Sequence, residues 1–103
     1  MLYEFTTVIT EFPDEDTFIA DVPDMRYCTT SGKTFEEALD NVNDALSLTL
    51  VTMEDEGIPI PDATNHMEMA AQYLAPCVRL VIDTDAYRSF LEDIEPEPIE
   101  EDE

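Results

Sequence analysis

Hydrophobic and polar positions alternate along residues 2–10, with Tyr3, Phe5, Thr7 and Ile9 on one face. A period of two with β-branched and aromatic residues predicts a strand. Residues 11–16 break the pattern at Pro13-Asp14 and read as a turn. Alternation resumes over 17–22, with Phe18, Ala20 and Val22 in phase, and stops at Pro23-Asp24. Residues 25–30 read as a short third strand, closed by Ser31-Gly32-Lys33 as a turn. Three strands this close in sequence predict an antiparallel meander.

The period then changes. Phe35, Ala38, Leu39, Val42, Ala45, Leu46, Leu50 and Met53 recur at steps of three and four, while Asp40, Asn43, Asp44 and Ser47 fill the opposite side. Thr34 followed by Glu37 is a capping box, in which a hydroxyl and a carboxylate each satisfy an unpaired backbone N–H. Gly57 is placed to end the helix in a left-handed turn, and Pro59 and Pro61 prevent its resumption. A helix over 34–56 results, with Leu39, Val42, Leu46, Leu50 and Met53 facing the sheet. Residues 62–75 are ambiguous, with a short helix around 67–73 as one reading. Residues 77–83 (CVRLVID) alternate again, placing Val78, Leu80 and Ile82 on one face. Asp83 or Thr84 can cap a last short helix carrying Tyr87, Phe90 and Leu91. The predicted fold is α+β: a three-stranded antiparallel meander, a long helix, and a fourth strand parallel to the first. The sheet order is 3-2-1-4, with a right-handed crossover. One helix covers one sheet face, so the other face is expected to lie open and to drive assembly into a homodimer or tetramer.

Charge changes this picture most. Twenty-six acids face four bases in 103 residues, a formal charge of -22. The bases are Arg26, Lys33, Arg79 and Arg88. Such a surface repels phosphate backbones and anionic lipid, which argues against direct nucleic-acid or membrane binding. A basic protein partner is its complement, although solvation or adaptation to salt would also account for it. Cys28 and Cys77, with no signal-peptide pattern at the N-terminus, are expected to be reduced apolar residues of a cytoplasmic protein. Over 92–103 eight of twelve residues are acidic, which predicts a disordered tail after a domain at 1–91.

Catalytic patterns are sparse. His66-Met67-Glu68 followed by Pro76-Cys77 matches part of a zinc-deaminase signature, but the next ligand position holds Leu80. Glu4, Glu36 and Asp83 lie on the elements that a two-metal nuclease would use, which keeps a metal-dependent nuclease as an alternative. With so many acids such a set counts only if the fold brings it together. No metal site and no cofactor is assigned, and the leading expectation is a binding protein without catalysis.

Three runs carry a resemblance. Ala20-Asp21-Val22-Pro23-Asp24-Met25, then Thr29-Thr30-Ser31-Gly32-Lys33-Thr34-Phe35-Glu36-Glu37-Ala38-Leu39, resemble the HicB antitoxins, as does the later Glu56-Gly57-Ile58-Pro59-Ile60-Pro61. The resemblance implies a partial RNase H-like fold. It also implies a partner: a small basic toxin, HicA, which is an mRNA-cleaving ribonuclease. This chain departs from the family in two places. Arg26-Tyr27 stand where many members have Pro-Gly, and an acidic tail follows where many append a DNA-binding domain. The expected docking surface is acidic: Glu11, Asp14, Glu15 and Asp16 in the first turn, with Asp40 and Asp44 on the outer helix face. A merely solvated turn is the competing reading, as is a stand-alone acidic module with another basic target.

Overall fold

The computed structural model describes residues 1–26 and 28–93. Strands β1 (Leu2–Phe12), β2 (Thr17–Asp21) and β3 (Thr29–Gly32) form an antiparallel meander. Helix α1 (Phe35–Glu56), helix α2 (His66–Gln72), strand β4 (Cys77–Asp83) and helix α3 (Thr84–Asp93) follow. The sheet order is β3-β2-β1-β4, as the pattern predicted.

The first helix begins where its cap was read. Thr34 Oγ1 accepts from Glu37 N–H at 3.0 Å, and Glu37 Oε1 accepts from Lys33 N–H at 2.6 Å. The reciprocal bond thus reaches one residue further back than in the usual box. Gly57 closes the helix with φ 69°, and Ile58 N–H donates to the Met53 carbonyl at 2.9 Å, the six-to-one bond of a Schellman ending. Ala38, Val42, Leu46 and Leu50 lie four residues apart and are fully buried against Phe5, Ile9, Ala20, Leu80 and Ile82. Leu39, Met53 and Val78 pack half-buried at the margin of that core.

The direction of β4 differs from the expectation. It runs antiparallel to β1, with Leu2 opposite Asp83 and Val8 opposite Cys77, so the crossover required by an RNase H-like arrangement is not the one this chain makes. The reason lies in the connection. The first helix starts beside Phe18, whose ring meets that of Phe35 edge-on at 6.3 Å. It ends beside Tyr3, whose hydroxyl donates to Glu54. A strand entering there would run parallel to β1. Instead residues 57–76 travel back along the sheet: Asp24 holds Thr64, Thr6 meets His66, and Ile9 N–H takes the Pro76 carbonyl at 3.0 Å.

That return path also covers the second face. Met69 of α2 is buried at 3 % exposure, and Thr6 and Val8, which point to this face, are buried too. The expectation of a wholly open second face therefore fails. Apolar exposure persists only at its margins, as at Leu2 and Val81. Two further differences are local. The third strand lies later than 25–30, and Ser31-Gly32 belong to it rather than to a turn. Ser47, read as solvent-facing, is buried with Val51 on the flank of α1 that meets α3. Glu92 and Asp93 close α3, and the rest of the predicted tail lies outside the described residues.

Candidate partner-binding surface

The four acids of the first turn sit at the tip of the β1–β2 hairpin. Glu11 pairs with Phe18 and Phe12 with Thr17, after which Pro13–Glu15 form a single 3-10 turn. Proline supplies the fixed φ of its first position. Asp16 takes the left-handed conformation at φ 50°, which Asp tolerates better than most residues. Its N–H donates to the Pro13 carbonyl at 3.2 Å, and Thr17 Oγ1 donates to the Glu15 carbonyl at 2.9 Å. All four carboxylates are exposed. The tip is therefore held by its backbone, and the side chains remain open to a partner.

Because Phe35 packs on Phe18, the N-terminal end of α1 shares this end of the sheet. Asp40, on its second turn, is exposed and lies on the flank that α3 approaches. Asp44, one turn on, is exposed but engaged: Tyr87 Oη donates to its Oδ1 at 3.1 Å. Burial and this carboxylate together push the Tyr87 hydroxyl pKa up. The structure thus brings five of the six predicted acids to one end and ties the sixth to α3. Among the described residues, only Arg88 of the four bases forms a side-chain ion pair, with Glu54 and Asp55.

The nuclease set does not assemble. Glu4 and Asp83 share the second face, whereas Glu36 starts α1 at the far end of the sheet. Asp83 Oδ1 is occupied in capping α3, accepting from Asp85 N–H at 3.0 Å. His66 opens α2 half-buried, with Nδ1 2.8 Å from Thr6 Oγ1. It lines a shallow cleft of 280 Å³ with Glu4, Thr64 and Arg79. Among the described residues no three His, Cys, Asp or Glu side chains are grouped to hold a metal ion. No helix among them is long and apolar enough to cross a membrane.

The family model described as HicB_like antitoxin of bacterial toxin-antitoxin system matches residues 5–92. The chain belongs to the HicB-like antitoxin family. Solved structures share the fold of this HicB-like chain. The Burkholderia pseudomallei antitoxin HicB aligns with a TM-score of 0.68 at 19 % identity, covering 97 % of this chain and 73 % of that one. A toxin-antitoxin complex from Streptococcus pneumoniae gives 0.69 at 15 % identity, over 100 % and 80 %. A HicA3 and HicB3 toxin-antitoxin complex gives 0.54 at 20 %, over 81 % and 99 %. No curated protein matches the sequence.

Two residues that sequence reasoning passed over organise this HicB-like fold. Asp24, in the corner where the family often has Pro-Gly downstream, does more than make a turn. Its carboxylate accepts from Thr64 N–H at 2.7 Å and from Thr64 Oγ1 at 2.8 Å, fixing the return path. Pro23-Asp24 in a turn gave no sign of that long-range partner.

Glu54 joins three elements near the end of α1. Its Oε2 accepts from Tyr3 Oη at 2.7 Å and Thr84 Oγ1 at 3.0 Å, and its Oε1 from Arg88 at 3.0 Å. The Tyr3 hydroxyl first, and Arg88 next, hold this carboxyl below the usual carboxylate range. A carboxyl depressed in the folded state adds stability above its unfolded pKa, and loses it as pH falls through the folded one. Glu54→Gln is therefore expected to be less stable than the parent at pH 7. The gap should close as pH falls from the ordinary range of about 4 and below. Urea unfolding of both chains at a series of pH values checks this, and a gap that stays constant down to acid would remove Glu54 from the ledger of pH effects.

Proposed function

We propose that this HicB-like chain acts by binding alone, without cofactor, and neutralises a small basic HicA-type ribonuclease by covering the surface that holds RNA. The observation that carries the reading is the acidic hairpin tip. Glu11, Asp14, Glu15 and Asp16 are exposed, make no ion pair among the described residues, and stand in a chain of charge -22. A surface built to bind phosphate is complementary to such a cluster. Asp40 extends the patch along α1, and Asp44 contributes at its margin. Family membership and the toxin complexes among the structural neighbours support the choice of partner. Residues 1–91 form the binding domain in this proposal, 92–103 an acidic tail, and the setting is the cytoplasm.

The test is kinetic. In Glu11→Gln, Asp14→Asn, Glu15→Gln and Asp16→Asn combined, the tip keeps its shape, since Asn also tolerates the left-handed position of Asp16. Association with a purified basic HicA-type toxin is expected to slow by roughly tenfold at low ionic strength and to converge with the parent as salt rises. Unchanged rates at low salt would assign the hairpin to solvation and move the docking surface elsewhere.

A further inference from the structure

Strand β4 borders the sheet, and its register with β1 fixes where its backbone points. Thr84 N–H donates to the Met1 carbonyl and Ile9 N–H to the Pro76 carbonyl, both at 3.0 Å. These bonds belong to the register in which Tyr3 faces Ile82 and Phe5 faces Leu80. Hydrogen-bonded pairs recur at every second residue of an antiparallel ladder. Val78, Leu80 and Ile82 therefore exchange bonds with β1, while Arg79 and Val81 turn their N–H and C=O groups outward. Among the described residues no loop or turn backbone takes up those groups.

An exposed edge of this kind is normally blunted by proline, a bulge or several charges. The run CVRLVID has no proline. Val81 is 56 % exposed on the outer margin of the second face. The strand holds one cation and one acid, so it is locally neutral in a chain of charge -22. That balance removes the acid-against-acid repulsion that two copies of so acidic a chain would otherwise meet, and the other edge, β3, is uncharged but only four residues long.

Symmetry then restricts the register. Outward-facing residues must lie opposite outward-facing residues across a two-fold axis. An axis at Arg79 would stack two guanidinium groups. One at Leu80 would set Arg79 against Val81 of the partner subunit. An axis at Val81 packs that side chain on its own copy and sets Arg79 opposite Asp83 of the partner subunit, twice. Arg79 makes no other ion pair among the described residues. The Asp83 side chain is 46 % exposed; its Oδ1 caps α3 and lies 3.8 Å from the Met1 ammonium, which leaves Oδ2 available. We propose that β4 pairs antiparallel with β4 of a second copy about an axis at Val81, joining two four-stranded sheets into one.

The experiment is sedimentation equilibrium of the full chain, with circular dichroism as the control for folding. The parent is expected at twice the chain mass at micromolar concentration, with the dimer tightening as salt screens the repulsion between two acidic chains. Arg79→Glu places acid against acid and should be monomeric. Val81→Pro should be monomeric with its fold intact, since its N–H points away from β1 and edge strands accept proline there. If Val81→Pro loses helical signal, Arg79→Glu decides alone. A parent that remains monomeric overturns the proposal, as does a dimer that neither variant weakens. A dimer lost in Val81→Pro but kept in Arg79→Glu overturns the register. A monomer whose β4 amides gain exchange protection only with a basic toxin gives the edge to that toxin, and overturns self-pairing.

Discussion

Replacing Leu46 with alanine is expected to lower the unfolding free energy by about 2–5 kcal/mol, the range for emptying a leucine site in a packed core. Leu46 is fully buried at the centre of the stripe that α1 lays on the sheet, between Val42 and Leu50 and over Phe5 and Leu80. Both covering layers are regular elements with their hydrogen bonds made, so neither can collapse far into the gap. The cost should therefore include the cavity as well as the lost transfer free energy. Leu48, two residues away and 50 % exposed, is the control. Its change to alanine should stay within about 0.5 kcal/mol, as for most surface positions. Urea unfolding with an unchanged slope measures both. Equal effects at the two positions would mean that the helix is rotated from the placement described.

The helix was readable because local and global requirements agree there. Thr34, Glu37 and Gly57 mark its ends by chemistry that acts within a few residues, and the apolar spacing names the buried face. The meander and the order β3-β2-β1-β4 were readable for the same reason, since short connections leave few alternatives. The orientation of β4 was not readable. It depends on where residues 57–76 go, and that path is fixed by Asp24 holding Thr64 and Thr6 meeting His66, contacts 40 and 60 residues apart in sequence. No periodicity encodes such pairs. The burial of Ser47 was missed because a polar residue on the outer side of a helix reads as solvated, whereas α3 crosses the helix there. Of the candidate surface, composition and turn chemistry indicated the hairpin acids. What they could not indicate was the loss of Asp44 to Tyr87, which again requires knowing where α3 packs.

These placements separate two kinds of surface on one small domain. The hairpin end is acidic, held by its backbone and suited to steering a basic partner, so salt should weaken its use. The β4 edge is charge-balanced and offers backbone pairing, so salt should strengthen its use. Opposite salt dependences allow the two associations to be distinguished in the same preparation.

Gly32→Ala is expected to destabilise the chain by about 1–3 kcal/mol or more, the cost of overfilling a packed site. A glycine in a Gly-polar-Thr run invites the explanation that it supplies an unusual backbone angle, and that explanation fails here. Among the described residues only Gly57 is a glycine with positive φ. The requirement at Gly32 is space. A Cβ there would stand 2.5 Å from the Ala38 nitrogen and 2.9 Å from the Glu37 carbonyl carbon, both backbone atoms of the first turn of α1. Backbone at a capped helix end cannot step aside cheaply. Moving it strains the Lys33–Glu37 bond of 2.6 Å and the bond of 2.8 Å from Asn41 Nδ2 to the Ser31 carbonyl. Gly57 supplies the contrast, because a Cβ there meets nothing within 4 Å while φ is 69°. Gly57→Ala should cost about 1–2 kcal/mol through its left-handed angle, and Gly57→Asn should recover part of that, since Asn visits this region readily. Gly32→Asn should recover nothing, because a larger side chain only worsens the clash. Unfolding midpoints of the four variants therefore test both causes. A recovery by Asn at position 32 would show that the backbone angle, and not the approach of β3 to the helix, is what this glycine serves.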